Sequence, residues 1–359
     1  MASVLLPEPD LTRICNTIRN RLPFRVEFSQ LLPLTGDASN RRYFRLSLGG
    51  GPPHSLVLMQ LASPEAFKQS EEAVSQGAPA VSELPFVNIL NHLLKADVAV
   101  PALHYYDEAA GLLYLEDLGD VTLAIASQDG TSPDTPALYH EAVDSLVRMH
   151  LKASFPADPG CLAFGRAFDV PLLMWEFDHF IEYGIEKRAG IVLAERERGT
   201  IRAEMQKIAE LLAGQPRVFT HRDYHSRNLM VLDGRLRIID FQDALMGPAS
   251  YDLASLLRDS YVSLPEELIE ELVVRYLEGR AKAGAPLDRM QFMRVFDMTS
   301  IQRNLKAAGR FVYIHREKNN DRYLPYIPRT LANVKRNLVH HRALDPLYRA
   351  LMRHVPELQ

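Results

Sequence analysis

Residues 218–243, VFTHRDYHSRNLMVLDGRLRIIDFQD, decide how the rest of this 359-residue chain is read. The segment opens with a β-prone run, Val218-Phe219-Thr220, and then sets His221, Asp223 and Asn228 in one polar loop. A second apolar run, Leu229 to Leu232, turns through Asp233-Gly234 and returns as Leu236 to Ile239. Asp-Gly between two such runs predicts a two-residue hairpin, because both turn positions need positive φ. The return strand delivers Asp240.

Phosphoryl transfer asks little of a protein beyond positioning and charge neutralisation. One carboxylate must face the acceptor hydroxyl. A second carboxylate and an amide oxygen must hold a divalent cation against nucleotide phosphates, since hard cations take oxygen ligands. The catalytic loop of protein kinases spaces its Asp and metal-binding Asn in this way and follows them with a strand-borne metal Asp. Asp223, Asn228 and Asp240 occupy the three places. His, Asp and Asn are also ordinary turn formers; the strand-borne Asp240 and the flanking apolar runs separate this stretch from a plain turn.

The stretch HRDYHSRN, followed by IIDFQDALMGPASYDLASLLRD, is similar to the aminoglycoside phosphotransferase and choline kinase-like superfamily, in which a second His often follows the catalytic Asp by two residues, as His225 does here. The likeness extends furthest to the bacterial anomeric kinases of N-acetylmuramate and N-acetylglucosamine used in cell-wall recycling. LTGDASNRRYFRL, GLLYLEDLGD and QRNLKAAGRF share it. The resemblance implies an α+β, bilobal, protein kinase-like fold, with a small antiparallel-sheet lobe and a larger, mostly helical one. It implies ATP and Mg²⁺, and transfer of the γ-phosphoryl group to the C1 hydroxyl of either sugar to give the α-1-phosphate. In that scheme Asp223 accepts or orients the acceptor's proton and Asn228 and Asp240 bind metal. Backbone groups of Glu116 and Leu118 meet adenine, and Asp252 braces the catalytic loop. Arg258, Arg303 and Lys306 are the candidates for contacting a sugar or its carboxylate; on the residues alone they read equally as a solvated helix surface. His225 fits either a chemical or a structural role, and His221 is expected to brace the loop.

Upstream, Leu11, Ile14, Ile18 and Leu22 predict an amphipathic helix. Phe24 to Phe28 and Leu31 to Leu34 lead into Thr35-Gly36-Asp37-Ala38-Ser39-Asn40. There Gly36, Ser39 and Asn40 suit a close turn over phosphate, or an ordinary turn. Arg42 to Leu48 alternates as a half-buried strand, and Leu56 to Leu61 reads as its more buried partner. Kinases carry a phosphate-pairing Lys on this third strand and a Glu on the next helix. Here Met59 and Gln60 stand in the Lys region, and the helix expected over Phe86 to Ala96 holds no Glu. Loss of both partners leaves no stranded charge. Arg45, with Arg41 or Arg42, is the expected replacement, the alternative being arginines on a solvated strand edge. Gly111 to Leu115 reads as a strand, and the boundary is set at 116, giving a nucleotide-binding lobe over 1–116 and a catalytic and acceptor-binding lobe over 117–359.

Beyond it, apolar stripes predict helices over Ala137 to Leu151, Pro171 to Glu186, Ala194 to Ala213, Pro265 to Arg280, Leu287 to Arg316 and Pro328 to Arg353. His150 reads as a helix-end cap or a solvated side chain. A net charge of −4 carries no basic footprint for nucleic acid or an anionic membrane. Cys15 and Cys161 make no metal spacing and suit a reducing compartment. No apolar run reaches transmembrane length, and the first residues lack a basic leader region, so a cytoplasmic protein is expected. Two rivals share these features: a sister phosphotransferase acting on choline, homoserine or an aminoglycoside, and a nucleotide-binding scaffold without turnover. The oligomeric state is open.

Overall fold

The computed structural model describes residues 7–34, 41–61, 83–130 and 132–359. Gly36, Ser39 and Asn40 lie outside the described residues. The chain divides into two compact units, one drawn from residues 1–69 and 101–119, the other from 70–100 and 120–359.

The first unit is a five-stranded antiparallel sheet built from β1 (Glu27–Leu34), β2 (Arg42–Gly49), β3 (Ser55–Gln60), β4 (Leu103–Asp107) and β5 (Leu112–Glu116), in the order β1-β2-β3-β5-β4. Along β2 the expected alternation places Phe44, Leu46 and Leu48 inward. The helix Leu11–Asn20 covers that face. Asp10 caps its first turn by accepting the Thr12 and Arg13 N–H groups, and Ile14 and Ile18 pack against Leu46, Leu56, Leu58 and Tyr114. Arg13 grips Asp107 with two bonds of 2.6 Å, tying the helix to β4 and holding the Asp107 carboxyl below its ordinary range. The sequence reading misses β4, because four of its five residues are half-buried and carry no alternating pattern.

The helix Pro85–Lys95, which the expected boundary at 116 assigned to the sheet unit, groups with the second unit instead. Its buried face explains the difference. Asn88 donates to the Gly160 carbonyl and accepts from the Leu162 N–H, Phe86 meets Phe241 with centroids 5.0 Å apart, and His92 stacks on Phe219.

In the second unit the helices Thr135–Lys152, Val170–His179, Glu195–Ala213, Glu266–Lys282 and Arg289–Lys318 answer the expected stripes, with two differences, and Ser250–Leu257 is a further helix that no stripe predicted. The Pro171 to Glu186 helix changes at Phe180 into a π-helix, Phe180–Lys187. The Pro328 to Arg353 helix is two, Ile327–His340 and Asp345–Leu351. It breaks where His341 becomes extended, and Pro346 cannot continue a helix whose carbonyl its ring would strike. Two short strand pairs complete the unit: β6 (Arg217–Thr220) with β9 (Leu245–Pro248), and the hairpin of β7 (Leu229–Leu232) and β8 (Arg235–Ile238). Asp233 and Gly234 turn that hairpin at φ of 50° and 70°, as the Asp-Gly pair predicts. No described helix is long and apolar enough to cross a membrane.

The long helix Arg289–Lys318 passes the π-helix at backbone distance. A Cβ at Gly309 would lie 2.8 Å from the Phe180 Cα and 3.3 Å from the His179 carbonyl, and neither atom can swing aside. Gly309→Ala is therefore expected to destabilise the protein by about 1–3 kcal/mol, the usual cost of overpacking. Urea unfolding would check it.

Candidate active site

The catalytic loop hangs from one buried carboxylate. Asp252, in the first turn of Ser250–Leu257, accepts the His221 N–H at 2.7 Å and the Arg222 N–H at 2.9 Å. These bonds hold Arg222 at φ 78°, a left-handed conformation costing a non-glycine residue on the order of 1–3 kcal/mol. His150 completes the anchor. It is fully buried, with Nε2 3.3 Å from Asp252 Oδ2 and Nδ1 2.7 Å from the Tyr276 hydroxyl. It is thus neither a cap nor solvated, as the sequence reading had it. Burial lowers its pKa despite Asp252, keeping the ring neutral at neutral pH.

His221 joins the loop to the hairpin. Its Nε2 lies 2.9 Å from the Ile239 carbonyl and its Nδ1 receives the Asp223 N–H at 3.3 Å, an arrangement met by the neutral ring protonated on Nε2. The Ile239 N–H in turn donates to the Asn228 carbonyl at 3.0 Å. Asp240 follows, itself left-handed at φ 64°.

These bonds gather the three acid–amide positions. Asn228 Nδ2 donates to the Asp223 carbonyl at 2.9 Å and lies 3.4 Å from Asp240 Oδ2. Asn228 Nδ2 is thus shared between the backbone and the exposed Asp240 carboxylate, which Gln242 Nε2 also steadies at 2.9 Å. A carboxamide and an exposed carboxylate carry the kind of oxygen donors a hard divalent cation takes, and these residue types fit one. His225 stands among the three; it contributes a 3.5 Å contact to Asn228 and meets the electrostatic influence of both Asp223 and Asp240. Burial keeps its ring neutral at neutral pH.

Asp223 is half-buried. Burial alone would raise its pKa, but the cations Lys306, Arg222 and Arg303 outweigh it, so the carboxyl sits well below its ordinary range. Those cations are themselves organised by Glu176, a fully buried acid. Glu176 Oε1 takes Arg222 Nη2 and Lys306 Nζ, both at 3.0 Å, and Oε2 takes Gln302 Nε2 at 2.7 Å. Arg303 is also buried and donates from Nε to the Ser255 hydroxyl.

Arg303 and Lys306 thus face the Asp223 neighbourhood. Arg258 is drawn elsewhere, its fork filled by Glu266 at 2.7 and 2.9 Å. In the sheet unit, Arg45 makes a two-bond pair with Asp117 at 2.7 and 3.1 Å, and Arg42 pairs with Glu8. The Glu116 side chain and N–H are both used on Ala102, and Leu118 is buried. Sequence reasoning missed two residues. Glu176 was absorbed into an apolar stripe, although a lone acid in LLMWEF is itself a signal. Asp259, which takes the Ser226 N–H at 2.9 Å and its hydroxyl at 2.5 Å, went unremarked.

Glu176→Ala would strand Arg222 and Lys306 without their buried partner and is expected to cost about 3–5 kcal/mol in urea unfolding. Lys306→Met has a different signature. A depressed pKa keeps Asp223 ionised as pH falls, so removing the first cation that opposes burial raises that pKa. The acid limb of kcat/KM should move to higher pH, which a pH–rate profile would measure.

Comparison with known proteins shows the family. Residues 30–286 match the model of the phosphotransferase enzyme family. A protein of Neisseria meningitidis serogroup B named N-acetylmuramate/N-acetylglucosamine kinase is 34% identical over 319 residues, covering 88% of each chain. Proteins of the same name from Pseudomonas putida and Caulobacter vibrioides are 32% and 30% identical, covering 86% and 82% of this chain and 84% of each relative. Among solved structures, choline kinase from Cryptosporidium parvum superposes with a TM-score of 0.60 at 15% identity, covering 94% of this chain and 98% of the other. An ADP-bound aminoglycoside phosphotransferase does so with a TM-score of 0.58 at 13% identity, covering 91% and 98%. These likenesses show a shared kinase-like α+β fold. With its Asp223–Asn228–Asp240 constellation and a family match spanning most of its length, the chain belongs to the phosphotransferase enzyme family.

Proposed function

We propose that this enzyme transfers the γ-phosphoryl group of ATP to the C1 hydroxyl of N-acetylmuramate and N-acetylglucosamine, with Mg²⁺ as its divalent cation, in the recycling of cell-wall sugars. The observation that carries the reading is near-full-length likeness to four relatives bearing that name. The intact Asp223, Asn228 and Asp240 set supports it. A non-catalytic scaffold has no chemical need for all three.

In this reading Asn228 and Asp240 hold the metal, which supplies charge neutralisation for the phosphates when bound. Asp223 receives the hydrogen bond of the acceptor hydroxyl and aims its oxygen. Its depressed pKa makes it a weak base, which suits an anomeric hydroxyl, more acidic than an ordinary alcohol, and a proton that leaves late in transfer. His221 and Asp252 keep the loop carrying Asp223 in register with the hairpin carrying Asp240. Gly36, Ser39 and Asn40 are assigned to the phosphates and the backbone of Glu116 and Leu118 to adenine. Arg45, engaged by Asp117, serves the phosphates only if that pair is shared or opened. Arg303 and Lys306 line the acceptor's neighbourhood; this positive surround disfavours choline and aminoglycosides, which are cations.

Purified enzyme incubated with ATP, Mg²⁺ and a panel of N-acetylmuramate, N-acetylglucosamine, choline, homoserine and kanamycin tests the proposal. ADP release with the two sugars and a phosphorus resonance of an α-1-phosphate are expected, and chelation of Mg²⁺ should abolish both. ADP release only with a cationic acceptor would replace the sugar reading with a sister activity. Asp223→Asn is expected to lower kcat by about 10²–10⁴-fold while ATP still binds.

A further inference from the structure

Arg227 stands between His225 and Asn228 in the catalytic loop, and none of the roles above uses it. Its guanidinium carbon lies 3.8 Å from the centroid of Tyr261 and 4.9 Å from that of Tyr326, two rings that meet edge-on with centroids 4.9 Å apart. Arg227 Nη2 donates to the Tyr326 hydroxyl at 2.5 Å. Tyr261 also touches the His225 ring, at 5.2 Å between centroids, so the guanidinium sits one ring away from the groups gathered round Asp223.

Lys306 and Arg222 share Glu176 and Arg258 is spent on Glu266, while Arg303 is buried, with Nε on Ser255 and Nη1 unsatisfied in the interior. Arg227 differs. It makes no ion pair among the described residues, is half-buried rather than enclosed, and uses one of its five N–H groups. An aromatic corner of this kind attracts cations, but the protein's own guanidinium already fills it. What remains on offer is a planar, pre-oriented fork, the shape that suits a carboxylate.

We infer that Arg227, laid on Tyr261 and Tyr326, is a specificity-determining residue that binds a carboxylate of the acceptor. The inference rests on the sugar-kinase reading and deepens it. N-acetylmuramate differs from N-acetylglucosamine by a lactyl ether that carries one carboxylate, and that group is the one Arg227 engages. The same residue turns cationic acceptors away, since their charge would meet an occupied corner. Loss of the fork weakens capture of the anionic sugar and leaves the aim of Asp223 at the anomeric oxygen to other residues, so the effect falls on KM rather than kcat.

The test compares kcat and KM of wild-type, Arg227→Met and Arg227→Lys enzymes for N-acetylmuramate, its lactyl methyl ester and N-acetylglucosamine. In Arg227→Met the ratio of kcat/KM for N-acetylmuramate over N-acetylglucosamine should fall by about 10- to 100-fold, the scale of a charge-assisted hydrogen bond, through KM. Arg227→Lys, which keeps charge without the fork, should fall between. The methyl ester needs no substitution: wild-type KM for it should rise by a similar factor, and Arg227→Met should not distinguish acid from ester. A ratio unchanged in both variants, or a wild-type enzyme indifferent to esterification, overturns the inference while the sugar kinase stands. A parallel loss with both sugars would show a structural role and overturn it equally. Wild-type enzyme that phosphorylates neither sugar overturns the functional reading, and this inference with it.

Discussion

The active centre depends on a single buried carboxylate receiving two consecutive backbone amides. Asp252 takes the N–H groups of His221 and Arg222, and because those bonds are made out of water's reach, leaving either amide unpaired would cost on the order of 1–3 kcal/mol. That penalty keeps Arg222 left-handed, which bends the chain so that Asp223 leaves the loop on the side of Asn228 and His225. From the other flank, His221 reaches the Ile239 carbonyl and fixes where Asp240 emerges. Asp259 performs the same service two turns of chain later, taking Ser226 by both its amide and hydroxyl. The helix Ser250–Leu257 and the residues just past it therefore act as the jig on which the loop is bent.

Around this frame the charges are arranged in two tiers. Glu176, fully enclosed, gathers Arg222, Lys306 and Gln302, and the two cations then face Asp223. An enclosed acid with two cations is electrostatically satisfied only as a set, and the surplus positive charge surrounds the Asp223 carboxylate. The outcome is a carboxylate held ionised and therefore weakly basic.

Much of this was legible in the sequence because local chemistry carried it. The Asp-Gly turn and its flanking apolar runs specify the hairpin, and the hairpin delivers Asp240; the period of two along Phe44, Leu46 and Leu48 specifies β2. What escaped was settled by tertiary pairing. β4 is evenly half-buried and so has no period to read. His150 looks like a helix terminus in one dimension and becomes the back wall of Asp252 in three. Glu176 reads as one polar residue in an apolar stripe until the opposite helix supplies Lys306 and Gln302. The helix Pro85–Lys95 precedes β4 in the chain, yet its apolar face finds Phe219 and Phe241, more than a hundred residues downstream.

The near-touching of Gly309 and Phe180 has a wider consequence. A rod pressed backbone to backbone against its neighbour has almost no freedom to slide or roll. Lys306 and Arg303 ride on that rod, about one and two turns ahead of the crossing, so their places are set by main-chain geometry rather than by side-chain preference. If these side chains meet the acceptor as proposed, divergence toward a new one would proceed by exchanging the groups mounted on a stationary rail, a route on which chemistry changes while the scaffold keeps still.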